Sequence, residues 1–300
     1  MMLMLTASLH AWSPPAAKDP CTPVANVQEL FTSLGNPSTS CVALAEGHYA
    51  LEEPLQLTRD LTITTQQGGV AVIDTGGHPS KFDLAGVIGV AKGATVTLVG
   101  LNITGGMTDG SSSGGGVLNH GMLSLYNFTI CGNTAPGQDY GGGGGIFNDG
   151  TVLAVNGSIH GNVGGDTGGT SFGGGGVLNL GTMTLDHVNI TGNRALAMGT
   201  GDDGASGGGI LNFGNLTISY GIIAANTAGG YGGGVASQSD VSAAVDASGL
   251  LTVVHTSIYS NAAPLNSGIH VGYGGSVVLK EPTNNPNLPY SFGVHDNDSH

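Results

Sequence analysis

The chain has 300 residues, a formal net charge of −14 and only six lysine and arginine residues. Phosphate backbones are bound by clustered cations, so this charge argues against a nucleic-acid partner. It also disfavours polyanionic sugars, unless a metal ion bridges the charges. The sequence contains no run of 18 apolar residues, so it predicts no membrane-spanning helix.

The N-terminal part predicts a leader followed by a cap. Residues 1–20 contain an apolar stretch that ends before two prolines, which we interpret as a leader segment of a secreted or cell-surface protein. Cys21 and Cys41 are a candidate disulfide for an oxidising compartment, and two unrelated thiols are the alternative. Residues 27–31 are the one helix-like stretch, and a helix there would cover the strand edges of the first coil.

Five copies of a hexapeptide that begins with Gly-Gly-Gly follow, and each is followed by the tetrapeptide motif Ile-x-x-Asn. The hexapeptides end at Asn119, Asn148, Asn179, Asn212 and Ser237, and the Ile-x-x-Asn motifs end at Asn133, Asn162, Asn193, Asn226 and Asn261. Between them, an inner glycine opens a stretch that is mostly apolar at its second and fourth positions, which predicts a half-buried strand. This fixed spacing indicates a solenoid with one coil per repeat.

The sequence therefore predicts an all-β, parallel β-helix with a short N-terminal helical cap. We expect one domain over residues 21–280, with regular repeats from about 93 to 261, and an irregular tail over 281–300. Identical positions of successive coils stack about 4.8 Å apart. We predict that both asparagine series are structural, because asparagine tolerates left-handed backbone and its amide can bond to its copies above and below.

The segments between each second asparagine and the next glycine triplet vary in length. Insertions at one place in every coil stack on one face, which is where solenoids bind their ligands. These segments carry Asp109, Asp139, Asp166, Asp202 and Asp203. Such carboxylates can hold calcium, with Asp202 and Asp203 as the candidate ligands, or act as an acid and base pair. The alternative is that they are solvated turn residues.

The aromatic residues of the repeats suggest no ligand platform. His120, His160, His187 and His255 follow no shared repeat position, and the tyrosines, Tyr220 among them, lack a common register. No zinc-protease, paired-cysteine or nucleophile-elbow motif is present.

The repeats of residues 93–261 resemble the GGAI and FxxN repeats of chlamydial polymorphic outer membrane proteins, with isoleucine in place of phenylalanine. They also resemble the related repeats of secreted bacterial and algal β-helix proteins of the pectin-lyase-like fold. This resemblance implies a right-handed parallel β-helix displayed outside the cell, often as an adhesin or surface passenger.

The enzymes of this fold provide a second interpretation. Polygalacturonases carry N-T-D, D-D, G-H-G and R-I-K motifs, and only residues 201–204, Gly-Asp-Asp-Gly, resemble one of these. Pectate lyases use an arginine base with calcium-binding aspartates, and Arg194 is the one basic residue of the regular repeats. The resemblance thus makes Asp166, Arg194, Asp202 and Asp203 the catalytic candidates.

Two functions follow from these observations. The first is a structural, adhesive or carbohydrate-binding β-helix protein that needs no cofactor, with calcium as the one metal that the aspartates suggest. The alternative is a carbohydrate-active enzyme, a lyase, hydrolase or epimerase, that works on the acidic loop face. The partner that the first function implies is a carbohydrate or another cell-surface ligand.

Overall fold

The computed structural model describes residues 20–80, 85–110, 112–136, 142–165, 173–196, 206–238, 249–272 and 274–280, and the main chain of 292–294. Among these residues, no helix is long and apolar enough to cross a membrane.

The N-terminal part contains the helix and nine short strands. Helix α1 is Val27–Gly35, and a 3-10 turn covers Gln66–Gly68. Strands β1 to β9 are Thr22–Val24, Cys41–Leu44, Gly47–Ala50, Leu55–Leu57, Leu61–Thr65, Ala71–Asp74, Ile88–Val90, Thr95–Val99 and Leu101–Thr104.

The repeats contribute most of the remaining strands. Strands β10 to β18 are Val117–Asn119, Met122–Cys131, Thr134–Pro136, Ile146–Asn148, Thr151–His160, Val163–Gly165, Val177–Asn179, Thr182–Thr191 and Arg194–Leu196. Strands β19 to β23 are Ile210–Asn212, Asn215–Ser219, Ile222–Ala224, Thr227–Ala228 and Val235–Ser237. Strands β24 to β28 are Leu250–Val254, Ser257–Tyr259, Ile269–Val271, Ser276–Lys280 and Phe292–Val294.

These strands form three parallel sheets that wind as a β-solenoid of about six turns. Sheet A has fifteen strands, among them the series β8, β11, β14, β17, β20, β24 and β27. Sheet B has nine strands and contains the ends of the hexapeptides, and sheet C joins β12, β15, β18 and β22. The predicted all-β parallel solenoid with a short N-terminal helix is thus confirmed. Within the expected tail, β28 pairs with β26 of sheet B.

The stacking register follows the sequence repeat. Leu125 lies beside Ala154, which lies beside Leu185, and the same row continues through Ile218 and Val253. All five side chains are buried and belong to one apolar cluster that follows the solenoid axis. Burial of a large aliphatic side chain contributes about 1.5–3 kcal/mol, so the inward rows hold the coils together. A slip of one residue would turn these rows outward, which fixes the register.

Glycine is required in the triplets because main-chain segments approach closely there. Gly143 has a φ of +63°, in the left-handed region that glycine adopts freely. A side chain on the next residue, Gly144, would overlap the carbonyl oxygens of Val163 and Gly175. The triplets are therefore part of the scaffold.

Helix α1 closes the N-terminal end of the solenoid. Asn26 caps the helix by accepting from the Glu29 N–H at 2.9 Å, and Glu29 accepts in return from the Ala25 N–H at 2.8 Å. Leu30 is buried in the apolar cluster. The structure joins Cys21 to Cys41 by a disulfide, which links the start of the chain to β2.

Candidate functional site

Asp139, Asp166, Asp202 and Asp203 lie outside the described residues, so the acidic face and the calcium site stay predictions. Asp109 is exposed after β9. Arg194 is exposed at the start of β18, beside Val163 of the preceding coil. No group of three His, Cys, Asp or Glu side chains in the described part of the chain is arranged to hold a metal ion.

The first asparagine series forms a buried hydrogen-bond ladder. The Nδ2 of Asn119 donates to the Oδ1 of Asn148 at 2.7 Å, and the same bond recurs from Asn148 to Asn179 and from Asn179 to Asn212. Asn212 ends the ladder by donating to the Ser237 hydroxyl at 3.0 Å. All five side chains are fully buried, which leaves them no access to a ligand.

The second series forms another ladder, in the turns that follow the strands of sheet A. The Nδ2 of Asn133 donates to the Oδ1 of Asn162 at 3.0 Å, and the bond is repeated through Asn193 and Asn226 to Asn261. Each amide also donates to the carbonyl oxygen of an isoleucine in the preceding coil. The ladders therefore hold main-chain groups of the turns.

The expectation of left-handed backbone at the asparagines is wrong. The positive φ belongs to the residue before each asparagine of the second series: Gly132, Gly161, Gly192, Ala225 and Ser260, with φ from +52° to +65°. Asparagine is required at these positions because its side chain points inward and forms hydrogen bonds with buried polar groups. Without these bonds, the buried groups would be unpaired, which costs free energy of folding.

A flat outward surface of sheet A is the most extended candidate site, and we name it the hydroxyl face. Its first row is Thr95, Met122, Thr151, Thr182, Asn215, Leu250 and Ser276, and its second row is Thr97, Ser124, Leu153, Thr184, Thr217, Thr252 and Val278. The first row is exposed, and the second is half-buried except for the exposed Val278. Nine of the fourteen side chains carry a hydroxyl and none carries a charge.

The sequence carries a signal for this face in the polar residues at the outward positions of each repeat. The face occupies the first and third positions after each inner glycine, for example Thr182 and Thr184 after Gly181. Only the second and fourth positions, which are buried, entered the fold prediction. The outward positions form a continuous surface only because the strands lie side by side in register.

Sheet A bends sharply next to this face, and the corner has a row of its own. The corner residues, all with φ between +45° and +76°, are Gly100, Asn127, Asn156, His187, Tyr220 and His255. The prediction that the histidines and tyrosines share no register is therefore wrong, because His187, Tyr220 and His255 lie at one position of successive coils. That position is the sixth after the inner glycine.

The last three corner residues form a stack of exposed rings, which we name the corner stack. The ring centroids of His187 and Tyr220 are 5.1 Å apart, as are those of Tyr220 and His255, with interplanar angles of 17° and 18°. Asp186 accepts from the Ser219 hydroxyl at 3.1 Å and lies 3.1 Å from the Nδ1 of His187. Because neighbouring rings cover each other's faces, the stack stabilises the corner and offers a sugar mainly ring edges.

The described outward positions of sheet B between β10 and β23 carry no catalytic pair. The middle positions of its strands from β10 to β23 are Leu118, Phe147, Leu178, Leu211 and Ala236. These side chains are apolar, and four of them are buried. Among the described residues, we therefore take the hydroxyl face and the polar turns at its border as the candidate ligand-binding surfaces. Comparison of the chain with protein-family models, curated proteins and solved structures finds no match.

Proposed function

We propose that this protein is a secreted or cell-surface β-solenoid that binds an extended neutral polysaccharide along the hydroxyl face, without cleaving it. The observation that carries the proposal is the two-row array of fourteen outward side chains, nine with a hydroxyl and none with a charge. Strand geometry spaces the hydroxyls about 4.8 Å apart along the axis and about 6.6 Å apart between rows. Seven strands extend the array over about 29 Å.

The chemistry of the array suits a sugar chain. A threonine hydroxyl can both donate and accept a hydrogen bond, as a sugar hydroxyl does. Its methyl group, together with the side chains of Met122, Leu153 and Leu250, can contact the C–H faces of the sugar rings. The absence of charge on the face favours a neutral ligand, and the net charge of −14 repels anionic chains.

A location outside the cell is part of the proposal. Its support is the Cys21–Cys41 disulfide, since such bonds form and persist in oxidising environments. The resemblance to secreted β-helix repeats agrees with this location. Catalysis by Asp166, Arg194, Asp202 and Asp203 remains the alternative function.

The proposal is tested by retention on insoluble polysaccharides. The full chain is incubated with cellulose, chitin and an insoluble β-glucan, and calcium pectate serves as the anionic comparison. We expect retention on at least one neutral solid and none on pectate. Substitution of Thr184→Lys with Thr217→Lys places two charges at the centre of the face and should weaken retention at least tenfold, or about 1.4 kcal/mol.

A matched control variant uses the other arm of sheet A. Thr129 and Thr191 are also half-buried, outward-facing threonines of strands, but they lie beyond the corner. Thr129→Lys with Thr191→Lys should leave retention unchanged. Equal loss in both double variants would contradict binding through the face.

Two further outcomes would overturn the proposal. Arrest of ice growth by the wild type, without retention on any polysaccharide, would assign the hydroxyl array to ordered water. Release of sugar products that is abolished by Asp202→Asn with Asp203→Asn would establish the enzyme.

A further inference from the structure

A cavity of about 310 Å³ lies at the border of the hydroxyl face, in the turns that lead from sheet B to sheet A. Its lining residues are Ala91, Lys92, His120 and Asp149. Lys92 precedes Thr95 by three residues, and His120 and Asp149 each precede a first-row residue of the face by two. The cavity therefore opens beside the N-terminal end of the first row.

The side chains of the cavity form an ordered polar set. The Nδ1 of His120 lies 2.7 Å from the Oδ1 of Asp149. Because a carboxylate only accepts, Nδ1 carries a proton and donates to Oδ1 of Asp149. The ring of Phe147 meets the His120 ring edge to face, with centroids 6.2 Å apart, and helps to fix its orientation.

Three features of the cavity limit its ligand. The second oxygen of Asp149 accepts hydrogen bonds, the Lys92 ammonium donates up to three, and the Nε2 of His120 is the ring nitrogen that does not contact Asp149. Two neighbouring hydroxyls of a sugar ring, each able to donate and accept, match this combination. The Asp149 carboxylate opposes an anion, and the described lining residues include neither a third metal ligand nor a hydroxyl or thiol nucleophile.

We propose that this cavity binds one neutral pyranose ring through two adjacent hydroxyls. The ring belongs to the polysaccharide that lies on the hydroxyl face, so the inference rests on the proposed function. The volume is at the small end of the range for ligand pockets, about 300–1,000 Å³, which suits one ring and not a long chain segment. The cavity thereby fixes one position of a chain that the flat face alone would allow to slide.

The test uses soluble tetrasaccharides of β-linked glucose and of N-acetylglucosamine, titrated calorimetrically into the full chain. We expect binding of at least one probe. Asp149→Asn keeps the shape of the side chain but exchanges an acceptor for a donor, and Lys92→Met removes the ammonium. Each should weaken binding at least tenfold. His120→Gln should weaken binding as well. His160→Gln, on the other arm of sheet A, is its matched control and should bind like the wild type.

Retention on the solid polysaccharides separates this inference from the proposed function. If the cavity variants are retained like the wild type and lose only tetrasaccharide binding, the cavity is a distinct sugar site. If the wild type binds no tetrasaccharide, or the variants bind it equally well, the cavity inference fails while retention still supports the face. If nothing is retained but tetrasaccharide binding depends on Asp149, the proposed function fails and the cavity site stands.

Discussion

The second asparagine ladder allows a stringent test of what holds the coils together. Asn162, at its centre, accepts from the main-chain N–H and from the Nδ2 of Asn133, both at 3.0 Å. Its own amide donates to the Ile130 carbonyl at 2.9 Å and to the Asn193 Oδ1 at 3.0 Å. The substitution Asn162→Ala would remove all four bonds from a fully buried site.

The expected loss can be worked out from these partners. Two of the four are main-chain groups, the N–H of Asn133 and the carbonyl of Ile130. A buried polar group that loses its partner costs about 1–3 kcal/mol, so the two together cost about 2–6 kcal/mol. The cavity left by the amide adds to this loss. We therefore expect about 4 kcal/mol of destabilisation, which is a large part of the stability of an ordinary domain.

Urea unfolding followed by far-UV circular dichroism measures the loss. Hydrogen exchange should locate it, because stability in a solenoid is a sum over coils and their neighbours. The coils that contain Asn133 and Asn193 should lose protection first. Asn189→Ala is the matched control, since Asn189 is exposed in a strand of the next coil. It should change stability by no more than about 0.5 kcal/mol.

An isosteric variant separates the amide from its volume. Asn162→Asp keeps the size and the two accepted bonds but places a carboxylate against the Ile130 carbonyl and the Asn193 Oδ1 at neutral pH. We expect it to be at least as unstable as Asn162→Ala, because an unpaired buried charge is costly. Indistinguishable unfolding of Asn162→Ala and Asn189→Ala would refute the reasoning.

Three further predictions concern the cap and the glycine triplets. Burial raises the pKa of the Tyr49 hydroxyl above 10, so its contribution to stability is complete below pH 10 and is lost as the pH rises through the folded-state value. Tyr49→Phe should reduce the alkaline fall in melting temperature, and an unchanged fall would contradict this. Replacement of Cys21 and Cys41 by serine should cost about 3 kcal/mol, measured by urea unfolding against the oxidised chain. Gly144→Ala should cost at least about 3 kcal/mol, whereas Gly35→Ala, with open space around it, should be nearly neutral in the same assay.

Sequence spacing alone predicted the solenoid because the repeat is a local property. The inner glycine, the apolar second and fourth positions and the Ile-x-x-Asn step lie within one coil, and their recurrence requires that coils stack in register. The inward rows, such as the one through Leu125 and Leu185, follow directly from this pattern. The sequence also predicted the helical cap, although α1 extends to Gly35, beyond the expected residues 27–31.

The candidate sites depended on the tertiary structure. His187, Tyr220 and His255 are about thirty residues apart in sequence, and only the parallel register brings their rings together. The cavity likewise joins Lys92, His120 and Asp149 from three successive coils. The three ring residues share a repeat position, as do His120 and Asp149, but different side chains occupy each position in successive coils, so no recurring residue type marks it in the sequence.

The sequence by itself determined that the chain winds into stacked coils and which side chains face the axis. The physical reason is that inward positions must be apolar in every coil, so they repeat. Outward positions have no such constraint, and the surface that they form depends on the side chains of the coils above and below. The tertiary structure therefore decided that the uncharged threonines form one face, that the rings form one stack, and that the left-handed backbone lies one residue before each asparagine of the second series.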